Sequence, residues 1–200
     1  MANRRRGPVA AEELLRELEA DPEFVRRRAE QEAARHERER RFQEAEAPLV
    51  RDLVRAGVKV TSAWDLVNTA KPYPDALPVL LQHLQRPYPD RVREGLARAL
   101  AVRSAAAFAW ETLVRLYREE SAGTDAKDGL AVALAAIATS AELDELLELV
   151  RNARHGQSRI LLISGIARSR SDKARKALAG LADDPVVGTE VTRRLERRKS

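Results

Sequence analysis

From residue 75 to residue 199 the chain alternates short apolar-periodic runs with Pro, Gly and Asp breaks. ALPVLLQHLQR sets Leu77, Leu80, Leu81 and Leu84 at helical spacing, and Pro87 stops it. DRVREGLARALAV (90–102) follows as the second member of a pair. The same alternation gives AAFAWETLVRLYREE (106–120) with TDAKDGLAVALAAIA (124–138), and AELDELLELVRNA (141–153) with SRILLISGIARS (158–169). DKARKALAGLA (172–182) with VVGTEVTRRLERR (186–198) makes a fourth pair, and turns are expected at His155-Gly156 and Asp184-Pro185. First helices begin near 75, 106, 141 and 172, a spacing of 31 to 35 residues that reads as a helix-pair repeat. The second helices align without gaps: VREGLARAL (92–100) lies over AKDGLAVAL (126–134), so Gly95 falls on Gly129, Leu96 on Leu130 and Leu100 on Leu134.

The phrase Pro-Tyr-Pro-Asp occurs at 72–75 and again at 87–90. A proline pushes the residue before it out of the α region, so Tyr73 and Tyr88 are expected to be extended. Pro74 and Pro89 then suit a helix start, where a missing N–H costs nothing, and Asp75 and Asp90 meet the positive end of the helix dipole. The phrase reads as punctuation between helices.

The first third differs. AAEELLRELEA (10–20) is a short amphipathic helix broken at Asp21-Pro22, and a second helix is expected from Glu23 to Ala56, ending at Gly57. Its middle, RRRAEQEAARHERERR (26–41), holds no large apolar residue and relies on pairs such as Arg28–Glu32 and Glu37–Arg41. TSAWDLVNTA (61–70) is a further short helix capped by Thr61 or Ser62. The expected organisation is a charged helical arm (1–41), an N-terminal helical cap (42–74) and repeats at about 75–103, 106–139, 141–169 and 172–199. The fold class is all-α, an α-α superhelix of about four helix pairs.

Composition narrows the chemistry. The absence of cysteine excludes disulfide scaffolds, thiolate zinc sites and cysteine nucleophiles. The basic opening is followed by no apolar run, and nothing approaches the roughly 20 apolar residues of a membrane span, so a cytoplasmic protein without a membrane partner is expected. The net charge of +5 divides into 0 for residues 1–57, −3 for 58–150 and +8 for 151–200. The basic excess belongs to the last fifty residues alone.

Catalysis finds no foothold. No glycine arrangement matches a nucleotide loop. Ser164 lacks the flanking glycine of a nucleophile elbow and reads as a back-bonded helix serine. His36, His83 and His155 are scattered, so no metal and no cofactor is expected. Asp144, Glu145 and Glu148 read as a solvated helix face, and Trp110 and Tyr117 as packing residues.

The repeats resemble HEAT repeats, whose second helix opens with Asp, then Val-Arg, then small residues interleaved with leucine. Asp90, Val92, Arg93, Leu96, Ala97 and Leu100 match that pattern. Asp125, Lys127, Leu130, Ala131 and Leu134 match with Lys for Arg, and Arg159 takes the place in the third cycle, while the fourth departs from it. The resemblance covers about 75–199 and is similar in kind to small bacterial HEAT-repeat proteins. It implies one of two roles for the cations: a hydrogen-bonded ladder between repeats, or a concave face on which Arg93, Lys127 and Arg159 meet an acidic ligand. The expected function is a non-catalytic scaffold or adaptor that binds another protein. The rival is nucleic-acid binding through Arg193, Arg194, Arg197 and Arg198 at the basic end.

Overall fold

A computed structural model describes residues 20–197. The amphipathic stretch at 10–20 and Arg198 therefore lie outside the described residues, apart from Ala20. Every regular element among them is helical, and the chain divides into two units, Met1–Glu44 and Ala45–Ser200.

Helix α1 (Pro22–Arg55), whose first part belongs to the first unit, starts one residue before the expected Glu23, with Asp21 Oδ1 accepting from the Glu23 N–H at 2.9 Å. Both expected pairs form, Arg28–Glu32 at 3.3 Å and Arg41–Glu37 at 2.9 Å. Arg40 also bridges Glu37 and Glu44, and its hydrogen bond is the main cause of the lowered Glu37 carboxyl pKa. Pro48 sits inside α1 and deprives the Glu44 carbonyl of its i→i+4 partner, at the division between the units.

In the second unit, Leu49 and Leu53 of α1 are fully buried. The helix ends at Gly57, which takes φ 83° while Val58 N–H reaches Leu53 O at 2.9 Å and Gly57 N–H reaches Val54 O at 3.0 Å, a Schellman ending. Helix α2 (Ala63–Val67) is capped by Ser62, with Asp65 completing the reciprocal box. Then come α3 (Ala76–Leu84) and α4 (Asp90–Ala99), α5 (Ala106–Glu119) and α6 (Asp125–Ile137), α7 (Leu143–Arg151) and α8 (Arg159–Arg168), and α9 (Asp172–Ala179) and α10 (Gly188–Glu196). Short 3-10 turns at Arg103–Ala105 and Ala153–Ser158 precede α5 and α8. No described helix is long and apolar enough to cross a membrane.

Each pair packs internally, and the second helices also pack in series: α2 on α4, α4 on α6, α6 on α8, with α9 and α10 both on α8. Leu96, Leu100, Leu130 and Leu134, the aligned positions, are all completely buried. Small residues set how closely the series packs. A Cβ on Gly129 would lie 2.8 Å from the Glu94 carbonyl of the preceding second helix, and one on Gly165 would lie 3.0 Å from that of Ala135. The sequence alignment exposed Gly95 and Gly129 but not Gly165, which sits 36 rather than 34 positions further on.

The repeated phrase opens its helices slightly differently from expectation. Helix α3 starts at Ala76, with Pro74 and Asp75 in a preceding turn, whereas α4 starts at Asp90 itself. The tyrosines do more than punctuate: Tyr73 OH donates to Ala99 O at 2.9 Å, and Tyr88 OH lies 2.7 Å from His83 Nδ1.

Candidate functional site

The N-terminal ends of the second helices carry a linked set of polar contacts. Asp90 at the start of α4 reaches the next second helix, where Oδ2 accepts from Asp125 N–H at 2.9 Å and Oδ1 from Ala126 N–H at 2.8 Å. It thereby satisfies orphan donors at the α6 N-terminus, where a negative charge is also favoured by the dipole. Arg93, on α4, pairs with Glu120 at the end of α5.

Lys127 and Arg159 take the corresponding places on α6 and α8. Lys127 is 1% exposed, and its Nζ donates to Tyr117 O at 2.8 Å and Glu120 O at 2.6 Å, capping the C-terminus of α5. The ammonium also stands over the Tyr117 ring, 4.6 Å from its centroid. Arg159 is 2% exposed and donates to Val150 O at 3.0 Å, to Gly156 O at 3.1 Å and to both oxygens of Asp184. The reading of Lys127 and Arg159 as cations offered to a ligand is therefore corrected. Both are buried against carbonyls left open at a helix end, and a buried cation is held by such partners. Arg93 remains part-exposed and ion-paired.

Between the loops of these pairs one position breaks the pattern. Arg93 meets Glu120 in the α5–α6 connection and Arg159 meets Asp184 in the α9–α10 connection, but in the α7–α8 connection His155 stands near Lys127. His155 is 5% exposed, packs its ring 4.7 Å from that of Tyr117, and has a buried Nε2 with no hydrogen-bond partner among the described residues. Burial first, and then the charges of Lys127, Arg118, Arg159 and Arg154, push its imidazole down to about 4. Burial likewise lowers the Lys127 ammonium, and pushes the Tyr117 phenol up to about 12 although Ser158 shares a 2.8 Å hydrogen bond with it.

A second polar centre joins α1 to α3. His83 is fully buried, with Nε2 2.9 Å from Asp52 Oδ2 and Nδ1 2.7 Å from Tyr88 OH. The His83 contact is the largest cause of the lowered Asp52 carboxyl. Both ring nitrogens are engaged, so the arrangement fixes the imidazole and ties Asp52 to the second Pro-Tyr-Pro-Asp phrase. No group of three His, Asp or Glu among the described residues is placed to hold a metal ion. Ser164 Oγ donates to Leu161 O at 3.0 Å, as a helix serine bonded to its own preceding turn.

The acidic stretch of α7 does more than face solvent. Glu145 accepts from Trp110 Nε1 at 2.7 Å and pairs with Arg118, as does Glu148, while Asp144 pairs with Lys173. These contacts join α5 to α7 and α7 to α9. Trp110 thus makes a packing contact between pairs, and Tyr117 is fully buried.

The basic C-terminal end is partly neutralised. Arg193 and Arg194 both pair with Glu190. Burial raises the Glu190 carboxyl, but the hydrogen bonds from Arg194 and Arg193 outweigh it and the net direction is down. Arg197 is exposed in the turn after α10, and Arg198 lies outside the described residues.

One concavity was not legible in the sequence. About 570 Å³ of space opens beside the ends of α6 and α8, lined by Arg103, Arg168 and Arg170 together with apolar groups of α5, α6 and α7. The signal that could have found it is that VRS (102–104) and ARSRS (167–171) both lie where a second helix ends.

No family model, no curated protein and no solved structure matches this chain.

Proposed function

We propose that the chain is a short α-solenoid of HEAT-repeat type that acts as a non-catalytic interaction module and holds another protein. The observation that carries this reading is the recurrence of one cation, Arg93, Lys127 and Arg159, at the start of successive second helices, each tied to the end or loop of a first helix. Such recurrence is what a stack of equivalent units produces, because each unit cannot bury its apolar face alone and must be registered on its neighbours. With those charges spent on contacts within and between the helix pairs, binding falls to the outer surfaces, which arrays of this kind present as extended platforms.

The experiment is affinity capture from an extract of the source cells, with and without nuclease. A protein recovered in stoichiometric amount in both arms is the expected result. Charge reversal of Arg193, Arg194, Arg197 and Arg198 to Glu should leave the capture intact. Recovery that depends on intact nucleic acid, and that vanishes on this reversal, would instead place the protein among nucleic-acid binders.

A further inference from the structure

We infer that the concavity at the ends of α6 and α8 is a binding site for an acidic peptide segment of a partner protein, with Arg103, Arg168 and Arg170 receiving its carboxylates. This deepens the reading of the chain as a protein-interaction module and rests on it.

Three features of the cavity carry the assignment. Among the described residues its polar lining is three arginines with Thr139, Ser140, Ser169 and Ser171, and no Asp or Glu lines it. Several arginines of the second unit have carboxylate partners: Arg93 with Glu120, Arg98 with Glu94, Arg115 with Glu119, Arg118 with Glu145 and Arg159 with Asp184. Here the side chains of Arg103 and Arg170 make no hydrogen bond or ion pair among the described residues, and Arg168 bonds only to neutral carbonyls, Ala136 O at 3.1 Å and Ala138 O at 3.3 Å. Glu142 is close in sequence to Thr139, but one of its oxygens is taken by the Thr139 N–H at 2.8 Å and hydroxyl at 2.5 Å. Burial, and after it the like charge of Arg103, depresses the Arg168 guanidinium pKa. An arriving anion relieves that repulsion.

The apolar part of the lining decides the class of ligand. The part-exposed Ala106, Ala136 and Ala138, with the edges of the largely buried Ile137 and Leu143, contribute a surface that a lone inorganic anion cannot use. A peptide that carries an aliphatic side chain between carboxylates fills both halves, the aliphatic group on the apolar surface and the carboxylates on the guanidinium forks. A nucleic-acid backbone would supply the charge but not the apolar group. With no tryptophan, tyrosine or phenylalanine in the lining, it would also find no ring on which to stack a base.

The test is fluorescence anisotropy on the full chain with a labelled peptide in which Glu and Asp flank a single Leu. Parallel arms use the same peptide with Gln and Asn in place of the acids, and a labelled DNA duplex. Arg103→Glu with Arg170→Glu changes two exposed side chains that hold nothing in the fold, and a far-UV melting curve confirms that the variant is folded. Arg151→Glu with Lys176→Glu makes the same change of net charge on exposed residues elsewhere. The expected result is saturable binding of the acidic peptide, weakened at least about tenfold by the first pair and little changed by the second. Arg103→Gln with Arg170→Gln should give an intermediate loss. Absence of binding, equal losses for the two pairs, or tighter binding of the duplex than of the peptide would each overturn the site. If a nuclease-resistant partner is captured equally well by the Arg103 and Arg170 variant, the site fails while the scaffold reading survives. Failure of the wild-type chain to capture any protein bears on the scaffold reading instead.

Discussion

Arg159 grips Asp184 across 25 positions of sequence through two parallel bonds, Nη1 to Oδ2 at 2.9 Å and Nη2 to Oδ1 at 3.2 Å. Asp184 simultaneously accepts from Val186 N–H and Val187 N–H at the approach to α10, so one carboxylate ties the start of α8 to the start of the last helix. The Arg159 hydrogen bonds are the main cause of an Asp184 carboxyl held down at about 2.

Arg159→Met should therefore cost about 1–3 kcal/mol, because it leaves the Val150 carbonyl without its Arg159 donor and the part-exposed Asp184 without its cation. Urea unfolding measures it. A loss below about 1 kcal/mol would mean that the pair contributes no more than a surface ion pair.

The close approach of α4 and α6 yields a second expectation. Gly→Ala inside a helix ordinarily stabilises by roughly 0.5–1 kcal/mol. At Gly129 the new Cβ would sit 2.8 Å from the Glu94 carbonyl, which belongs to a packed backbone, so Gly129→Ala should destabilise by about 1–3 kcal/mol. Gly180→Ala is the control, since its Cβ would meet nothing nearer than 3.6 Å. Equal melting temperatures for the two variants would show that the second helices are not tightly registered there.

His155 supplies a dependence on pH. Its folded value, about 4, lies below the ordinary 6.5, so the folded chain keeps the imidazole neutral while the unfolded chain takes up a proton first. Its contribution is complete above pH 6.5 and is lost as pH falls towards 4. Between these limits the wild type should lose melting temperature faster than His155→Gln. Parallel profiles would contradict the burial of this ring.

Much of the helical plan was legible because it rests on local signals. Period-3.6 apolar positions, the cap read as Thr61 or Ser62 and the Gly57 ending each involve residues a few positions apart. The fate of the cations was not legible. A basic residue at the start of a helix gives the same pattern whether it folds back onto carbonyls, as Lys127 does, or points outward. Asp184 lies 25 positions from Arg159, and Asp52 lies 31 from His83, so neither partnership leaves a local trace. The arginine concavity draws Arg103 and Arg168 from different pairs and appears only when the helices are stacked.

The repeat alignment itself makes a paired prediction. Leu96→Ala and Leu130→Ala remove equivalent, fully buried side chains, and each should cost ~2–5 kcal/mol in chemical denaturation. Neutral results at both positions would reduce the 34-residue correspondence to coincidence.

The interaction reading is tested most directly by titration calorimetry between the purified chain and its captured, nuclease-treated protein, at about 0.15 M salt. Saturable, stoichiometric binding without nucleic acid is the expected result. No binding of that protein, together with submicromolar and salt-resistant affinity for a defined DNA or RNA, would contradict it.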